Sequence, residues 1–107
     1  MRRLPEFDSA AQPPIAEALP RLGDGIRGFR GVVAGLSAPT IAGGLPADEL
    51  ERRLLEMGFV EGAKVEILHE GLIGRDPIAV RLDDMRVALR RRDARGVLVR
   101  VEPPAET

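Results

Sequence analysis

The fold is decided by residues 78–89, which read Ile-Ala-Val-Arg-Leu-Asp-Asp-Met-Arg-Val-Ala-Leu. On both sides of Asp83-Asp84, apolar residues alternate with arginine and alanine, which is the period of a half-buried strand. A two-residue turn at Asp83-Asp84 places the apolar residues of both strands on one face. The pattern therefore predicts an antiparallel hairpin with three cross-strand pairs, which are Leu82 with Met85, Val80 with Val87, and Ile78 with Leu89.

One helix is predicted upstream of this hairpin, over residues 47–57. Leu50, Leu54 and Met57 recur at the spacing of one helix face, and charged residues occupy the opposite face. Gly58 follows directly and suits the left-handed position that ends a helix.

Strand patterns occupy most of the remaining sequence between residues 29 and 101. They cover residues 29–36, the alternating residues 64–67 and residues 97–101, whereas the glycines and proline of residues 71–77 indicate a loop. One short helix cannot cover a wide flat sheet, and closing the strands on themselves solves that problem. We therefore expect a mainly β fold, a small SH3-like β-barrel with one α-helix inserted after the first strand.

Length and composition favour one domain with short extensions. The 107 residues, 44% hydrophobic and 31% charged, suit a single water-soluble core. Four prolines fall within the first twenty residues, so residues 1–25 are expected to be an extension, poorly ordered or partly helical. Residues 26–102 would form the barrel and residues 103–107 a tail. No apolar run approaches the roughly 20 residues of a spanning helix, and we expect a cytoplasmic protein without direct membrane insertion.

The charge distribution is dipolar although the formal net charge is only −1. Seven acidic and three basic residues fall in 48–70, whereas eight arginines and four aspartates fall in 75–100. In the predicted hairpin, Arg81 lies across from Arg86 on the outward face, and Arg90 follows. These arginines are either a docking surface for an acidic partner or simply solvated side chains. The near-neutral charge and the scarcity of aromatic residues argue against nucleic acid as a partner.

Residues that carry chemistry are few. The chain has no cysteine, and His69 is its only histidine. His69 with Glu66 or Glu70 would be at best a weak, poorly selective site for Fe²⁺ or Mn²⁺, and a surface histidine is the favoured interpretation. We expect no catalytic residues and no cofactor.

Three segments in series resemble the FeoA family. These are residues 53–67 (Arg-Leu-Leu-Glu-Met-Gly-Phe-Val-Glu-Gly-Ala-Lys-Val-Glu-Ile), residues 74–81 (Gly-Arg-Asp-Pro-Ile-Ala-Val-Arg) and residues 86–99, which begin Arg-Val-Ala-Leu-Arg. The resemblance implies a small cytosolic SH3-like barrel that accompanies FeoB, the membrane GTPase of ferrous iron uptake. The same barrel is the last domain of DtxR-type metal repressors.

The resemblance implies a non-catalytic protein that docks on the cytosolic part of a FeoB-type GTPase of the inner membrane, and is peripheral to that membrane through this partner. The alternative is a regulatory barrel that binds metal or peptide, as in the repressors. Two surfaces are candidates for docking. One is an apolar edge formed by Leu55, Met57, Phe59, Leu72 and Ile73. The other is an arginine face formed by Arg81, Arg86 and Arg90.

Overall fold

The computed structural model describes residues 19–39 and 44–101, which form a curved antiparallel sheet with one long helix. Its elements in chain order are a 3₁₀ helix (Leu22–Asp24), β1 (Arg30–Leu36), α1 (Ala47–Met57), β2 (Lys64–Ile73), β3 (Asp76–Leu82), β4 (Met85–Leu89), α2 (Arg91–Ala94) and β5 (Val97–Val101). No helix in the described ranges is long and apolar enough to cross a bilayer. The prediction of a mainly β fold with a helix after the first strand is confirmed.

Strand β2 is shared by the two halves of the sheet, whose strand order is β4-β3-β2-β1-β5. Residues 64–66 of β2 pair with β1, and residues 65–73 pair with β3. Side chains from both halves meet in one core, which includes Ile67, Val80 and Val99. A ten-residue strand that serves both halves lets the sheet curl around this core.

Helix α1 has the predicted bounds because both of its ends are encoded locally. Pro46 precedes it in an extended conformation, and Gly58 follows with φ 114° and ψ 6°. The Gly58 N–H donates to the carbonyls of Leu54 and Leu55, which would otherwise lack a partner. Leu50 and Leu54 are buried, so the predicted helix face does pack against the barrel.

The β3–β4 hairpin has the predicted register and the predicted turn at Asp83-Asp84. Ile78, Val80, Leu82 and Leu89 are buried, and Val87 is half-buried. Met85 is the exception among the apolar residues, with 52% exposure. It follows the turn at the end of the sheet, where its side chain lies near Gly58.

The segment before β1 belongs to the folded unit, although the sequence assigned residues up to 25 to an extension. Leu22 is fully buried in the core, and the Val99 N–H donates to the Pro20 carbonyl at 2.9 Å. The Arg21 guanidinium donates to the carbonyls of Ser37 and Arg95. The barrel therefore starts at least five residues before position 26. The extension predicted for residues 1–18 and the tail 103–107 lie outside the described residues.

The loop predicted for residues 71–77 is instead the end of a second hairpin. Strand β2 continues to Ile73, and β3 starts at Asp76. Gly74 and Arg75 form the turn with φ values of 68° and 61°, the two positive angles of a type I′ turn. A Cβ at Gly71 would overlap the Asp76 carbonyl oxygen, so the two strands approach closely there. We call residues 71–76 the hairpin tip.

Leu22 provides the test of this revised domain start. We expect Leu22→Ala to lower the free energy of unfolding by about 2–4 kcal/mol, because it leaves a cavity in the core. Denaturant unfolding measures the effect, and Ile26→Ala is the matched control, with an expected change within about 0.5 kcal/mol because Ile26 is exposed. Equal stabilities of the two variants would show that the segment before β1 is not part of the core.

Candidate functional site

Three arginines and one glutamate form a row on the outward face of the sheet. Cross-strand pairing joins Arg30 to Glu66, Glu66 to Arg81, and Arg81 to Arg86, so one row of side chains spans four strands. The only ion pair recorded in this row, within the described residues, joins Arg81 Nη1 to Glu66 Oε1 at 3.3 Å. We call these four residues the basic row. Its excess of positive charge suits an acidic partner.

The basic row borders a shallow groove of about 230 Å³. Its lining consists of Arg30, Gly31, Lys64, Val65, Glu66 and Arg81. Lys64 and Arg100 both pair with Val32, which extends the positive face toward β5. The sequence predicted Arg81 and Arg86 for this face but missed Arg30. Its place opposite Glu66 depends on a pairing between strands that flank α1, and no local pattern sets that register.

Arg90 does not belong to the basic row. It lies four residues beyond Arg86, about 13 Å along an extended chain. There it lines a second groove, of about 490 Å³, with Gly74, Asp76, Arg91, Arg92 and Arg95. The predicted arginine face is therefore divided between the middle of the sheet and the hairpin tip.

The apolar edge predicted from the sequence does not form. Phe59 is fully buried and cannot touch a partner. Leu72 and Ile73 lie at the hairpin tip, whereas the end of α1 lies beside the opposite end of β3, near Leu82. The seven residues of β3 separate the two ends by about 20 Å.

The end of α1 nevertheless presents an exposed apolar surface. Leu55, Val60 and Met85 are each about half exposed. Met57, which lies between Leu55 and Val60 in sequence, is half-buried. We call these four residues the helix-end patch. Leu55 and Met57 were predicted as docking residues. Val60 and Met85 were not, because Met85 was assigned to the buried face of its hairpin and Val60 has no strand or helix pattern.

His69 lies on the outward face of β2, opposite Ala79, and is exposed. The Glu66 carboxylate on the same face is bonded to Arg81, and the Glu70 carboxylate accepts a bond of 2.7 Å from Arg91. Within residues 19–39 and 44–101, no three His, Cys, Asp or Glu side chains are grouped so as to hold a metal ion. The donors around His69 therefore do not fit a metal site.

Arg91 connects three parts of the barrel that are distant in sequence. Its guanidinium donates to the Glu70 carboxylate and to three carbonyl oxygens, those of Gly23 at 3.1 Å, Gly25 at 2.6 Å and Arg75 at 2.8 Å. Its backbone N–H donates to the Asp76 carboxylate at 2.9 Å. We call this set of bonds the Arg91 clamp. It holds the hairpin tip against the segment that precedes β1.

The profile of the FeoA domain matches residues 21–101, most of the chain. The chain belongs to the FeoA family. The start of the match at residue 21 agrees with the burial of Leu22, and the family resemblance of the sequence is confirmed. No curated protein matches the chain.

Solved FeoA structures have the same fold. The zinc complex of FeoA from Stenotrophomonas maltophilia is 30% identical, with a TM-score of 0.61 over 75% of this chain and 88% of that one. It is described as an SH3 domain protein and as a candidate activating factor of bacterial ferrous iron transport. A FeoA-like protein from Clostridium acetobutylicum is 26% identical, with a TM-score of 0.66 over 83% of this chain and 93% of that one. The SH3-like fold class is confirmed.

A manganese-dependent transcriptional repressor also shares the fold. It is 19% identical with a TM-score of 0.66, and the match covers 88% of this chain but only 47% of the repressor. This identity supports likeness of fold alone. The chain therefore corresponds in structure to part of such a repressor.

Proposed function

We propose that this chain is a non-catalytic interaction protein of ferrous iron uptake that docks on the cytosolic part of a FeoB-type membrane GTPase. Membership of the FeoA family supports a role in ferrous iron uptake, as does the description of the Stenotrophomonas relative as a candidate transport activator. The observation that carries the docking is the basic row, in which three arginines and a single glutamate lie on an open sheet face and only Arg81 is paired with that glutamate. Such a face suits contact with another macromolecule in the cytoplasm.

The basic row and the helix-end patch would contribute to docking in different ways. Long-range attraction between the arginines and an acidic partner surface speeds and orients the encounter. Exposed apolar side chains lose contact with water on binding and supply most of the affinity. Arg86 and Met85 are neighbours in β4, so the two surfaces are continuous around the start of that strand.

A regulatory barrel that binds a divalent metal is the second candidate. The zinc present in the Stenotrophomonas FeoA structure and the fold shared with a manganese-dependent repressor favour it. The poor donor set around His69 weighs against it. A direct binding measurement distinguishes the two candidates.

Arg86→Glu tests the electrostatic part of the docking. The new carboxylate would face Arg81 across the strands, so the hairpin should keep its stability while the row loses two units of positive charge. We expect the Kd for the isolated cytosolic part of the GTPase to rise roughly fivefold to tenfold at low ionic strength, and less in high salt. The control Arg52→Glu makes the same charge change on the exposed side of α1. Equal Kd values for the two variants would remove the basic row from the interface.

The helix-end patch has a separate test. The double variant Leu55→Ser with Met85→Ser should raise the same Kd by roughly tenfold or more, mainly through faster dissociation. The matched control is Leu72→Ser with Ile73→Ser, which removes two equally apolar residues from the hairpin tip. If only the control variant lost binding, docking would have to be reassigned to the tip.

The metal-binding alternative is tested by calorimetry with ferrous and manganous ions. We expect no saturable stoichiometric binding by the wild-type protein, because the carboxylates nearest to His69 in sequence, Glu66 and Glu70, are already paired with Arg81 and Arg91. Stoichiometric binding that is abolished by His69→Ala and retained by Glu61→Gln, an exposed carboxylate elsewhere, would favour the regulatory barrel.

A further inference from the structure

The hairpin tip exposes aliphatic side chains. Leu72 is fully exposed and Ile73 is 87% exposed. The register between β2 and β3 shifts between Glu70 and Ile73, so the regular alternation of buried and exposed faces is interrupted here and neither side chain is turned into the core. Ile26 is 61% exposed and lines a shallow groove together with Gly74 and Arg75. Three exposed aliphatic residues therefore lie at one end of the barrel.

Arginines surround these aliphatic residues. Arg75 lies in the turn, and Arg90, Arg92 and Arg95 line the groove beside it. Two carboxylates at this end are already bonded, Glu70 to Arg91 and Asp24 to Arg95 at 2.9 Å, and Asp93 lies 4.0 Å from the Arg92 guanidinium. Within the described residues, Arg75 and Arg90 have no ion pair. The tip therefore combines apolar side chains with positive charge that is available to an outside anion.

The tip is fixed in its projecting position. The Arg91 clamp bonds both of its strands, at Glu70 on one side and at Arg75 and Asp76 on the other. The close approach of the backbones at Gly71 leaves no room for a side chain. The backbone that carries the aliphatic residues is thus held in place, and little backbone conformational entropy would be lost when these residues enter an apolar environment.

We propose that this end of the barrel contacts an anionic phospholipid surface directly. Leu72 and Ile73 enter the headgroup region, Ile26 lies at its edge, and the arginines pair with lipid phosphates while their long stems cover apolar surface. A fluid bilayer can adapt its shape to the exposed side chains of the tip and also supplies the phosphates that the arginines can bind. The contact is shallow and interfacial, and it adds a direct lipid contact to the expectation from sequence that the protein is peripheral to the membrane through its partner.

Vesicle flotation with the full chain tests the proposal. Wild type should bind phosphatidylcholine vesicles that contain phosphatidylglycerol, bind pure phosphatidylcholine weakly, and dissociate in high salt. Leu72→Ser with Ile73→Ser should lower the partition coefficient roughly tenfold or more, since most of the buried apolar area is lost. Leu55→Ser with Met85→Ser is the matched control at the other end of β3 and should bind as wild type does. Thermal unfolding checks that all variants fold.

Charge reversal tests the phosphate contacts. Arg90→Glu with Arg92→Glu should abolish binding to the anionic vesicles, while Arg86→Glu in the basic row should reduce it much less. Equal loss in both variants would mean a general charge effect and would overturn the proposal. So would equal binding to neutral vesicles. Saturable binding of inorganic phosphate without vesicle binding would also overturn it, and would assign the groove to a small anion.

The same variants separate this inference from the proposed function. Binding of the soluble part of the GTPase, measured without lipid, should be weakened in the basic-row and helix-end variants and unchanged in the tip variants. If the tip variants lost the GTPase and kept the vesicles, the tip would be a protein-docking site and the lipid proposal would be wrong. Loss of GTPase binding in no variant would contradict the proposed docking and leave the vesicle result intact.

Discussion

One guanidinium group connects the parts of this barrel that have no local reason to meet. Arg91 is only 13% exposed in its side chain, and a charged group so far from water is tolerated only when its donors are bonded. Glu70 supplies the opposite charge, and the carbonyls of Gly23, Gly25 and Arg75 accept the remaining bonds. The segment before β1, the hairpin tip and α2 are therefore joined at a single point, and the outward position of the tip depends on it.

The elements that the sequence predicted correctly are those whose signals are local. The β3–β4 hairpin combines an alternating pattern with a two-residue turn, and α1 ends at Gly58 for reasons contained within one helical turn. Strand β1 was predicted within one residue, but its pairing was not, because it pairs with β5 more than sixty residues later and its register shifts between Val33 and Gly35. The burial of Leu22 depends on that distant pairing as well, since the chain before β1 bonds to β5.

Phe59 was wrongly predicted to be exposed, and Leu72 and Ile73 were wrongly assigned to a loop, for two opposite physical reasons. Phe59 follows the left-handed Gly58, which turns the chain inward, and its N–H donates to the Leu54 carbonyl, so its ring enters the core. Leu72 and Ile73 lie among glycines and next to a turn, and they form a strand without burial because tertiary bonds hold the tip in place. Hydrophobic periodicity identifies a strand because alternate side chains are buried. It therefore does not identify a strand such as the hairpin tip, whose aliphatic side chains are exposed.

The near-zero net charge conceals a difference in charge between the two ends of β3. The Gly74-Arg75 turn and its neighbouring arginines lie at one end of the strand, and the Asp83-Asp84 turn lies at the other, about 20 Å away. At the second end Asp83 and Asp84 offset the charges of Arg81 and Arg86, so an anionic surface favours the first end before any contact forms. In that orientation the helix-end patch, near Asp83-Asp84, lies away from the lipid. The proposed membrane contact would therefore leave the proposed partner surface accessible, because the two use opposite ends of one strand.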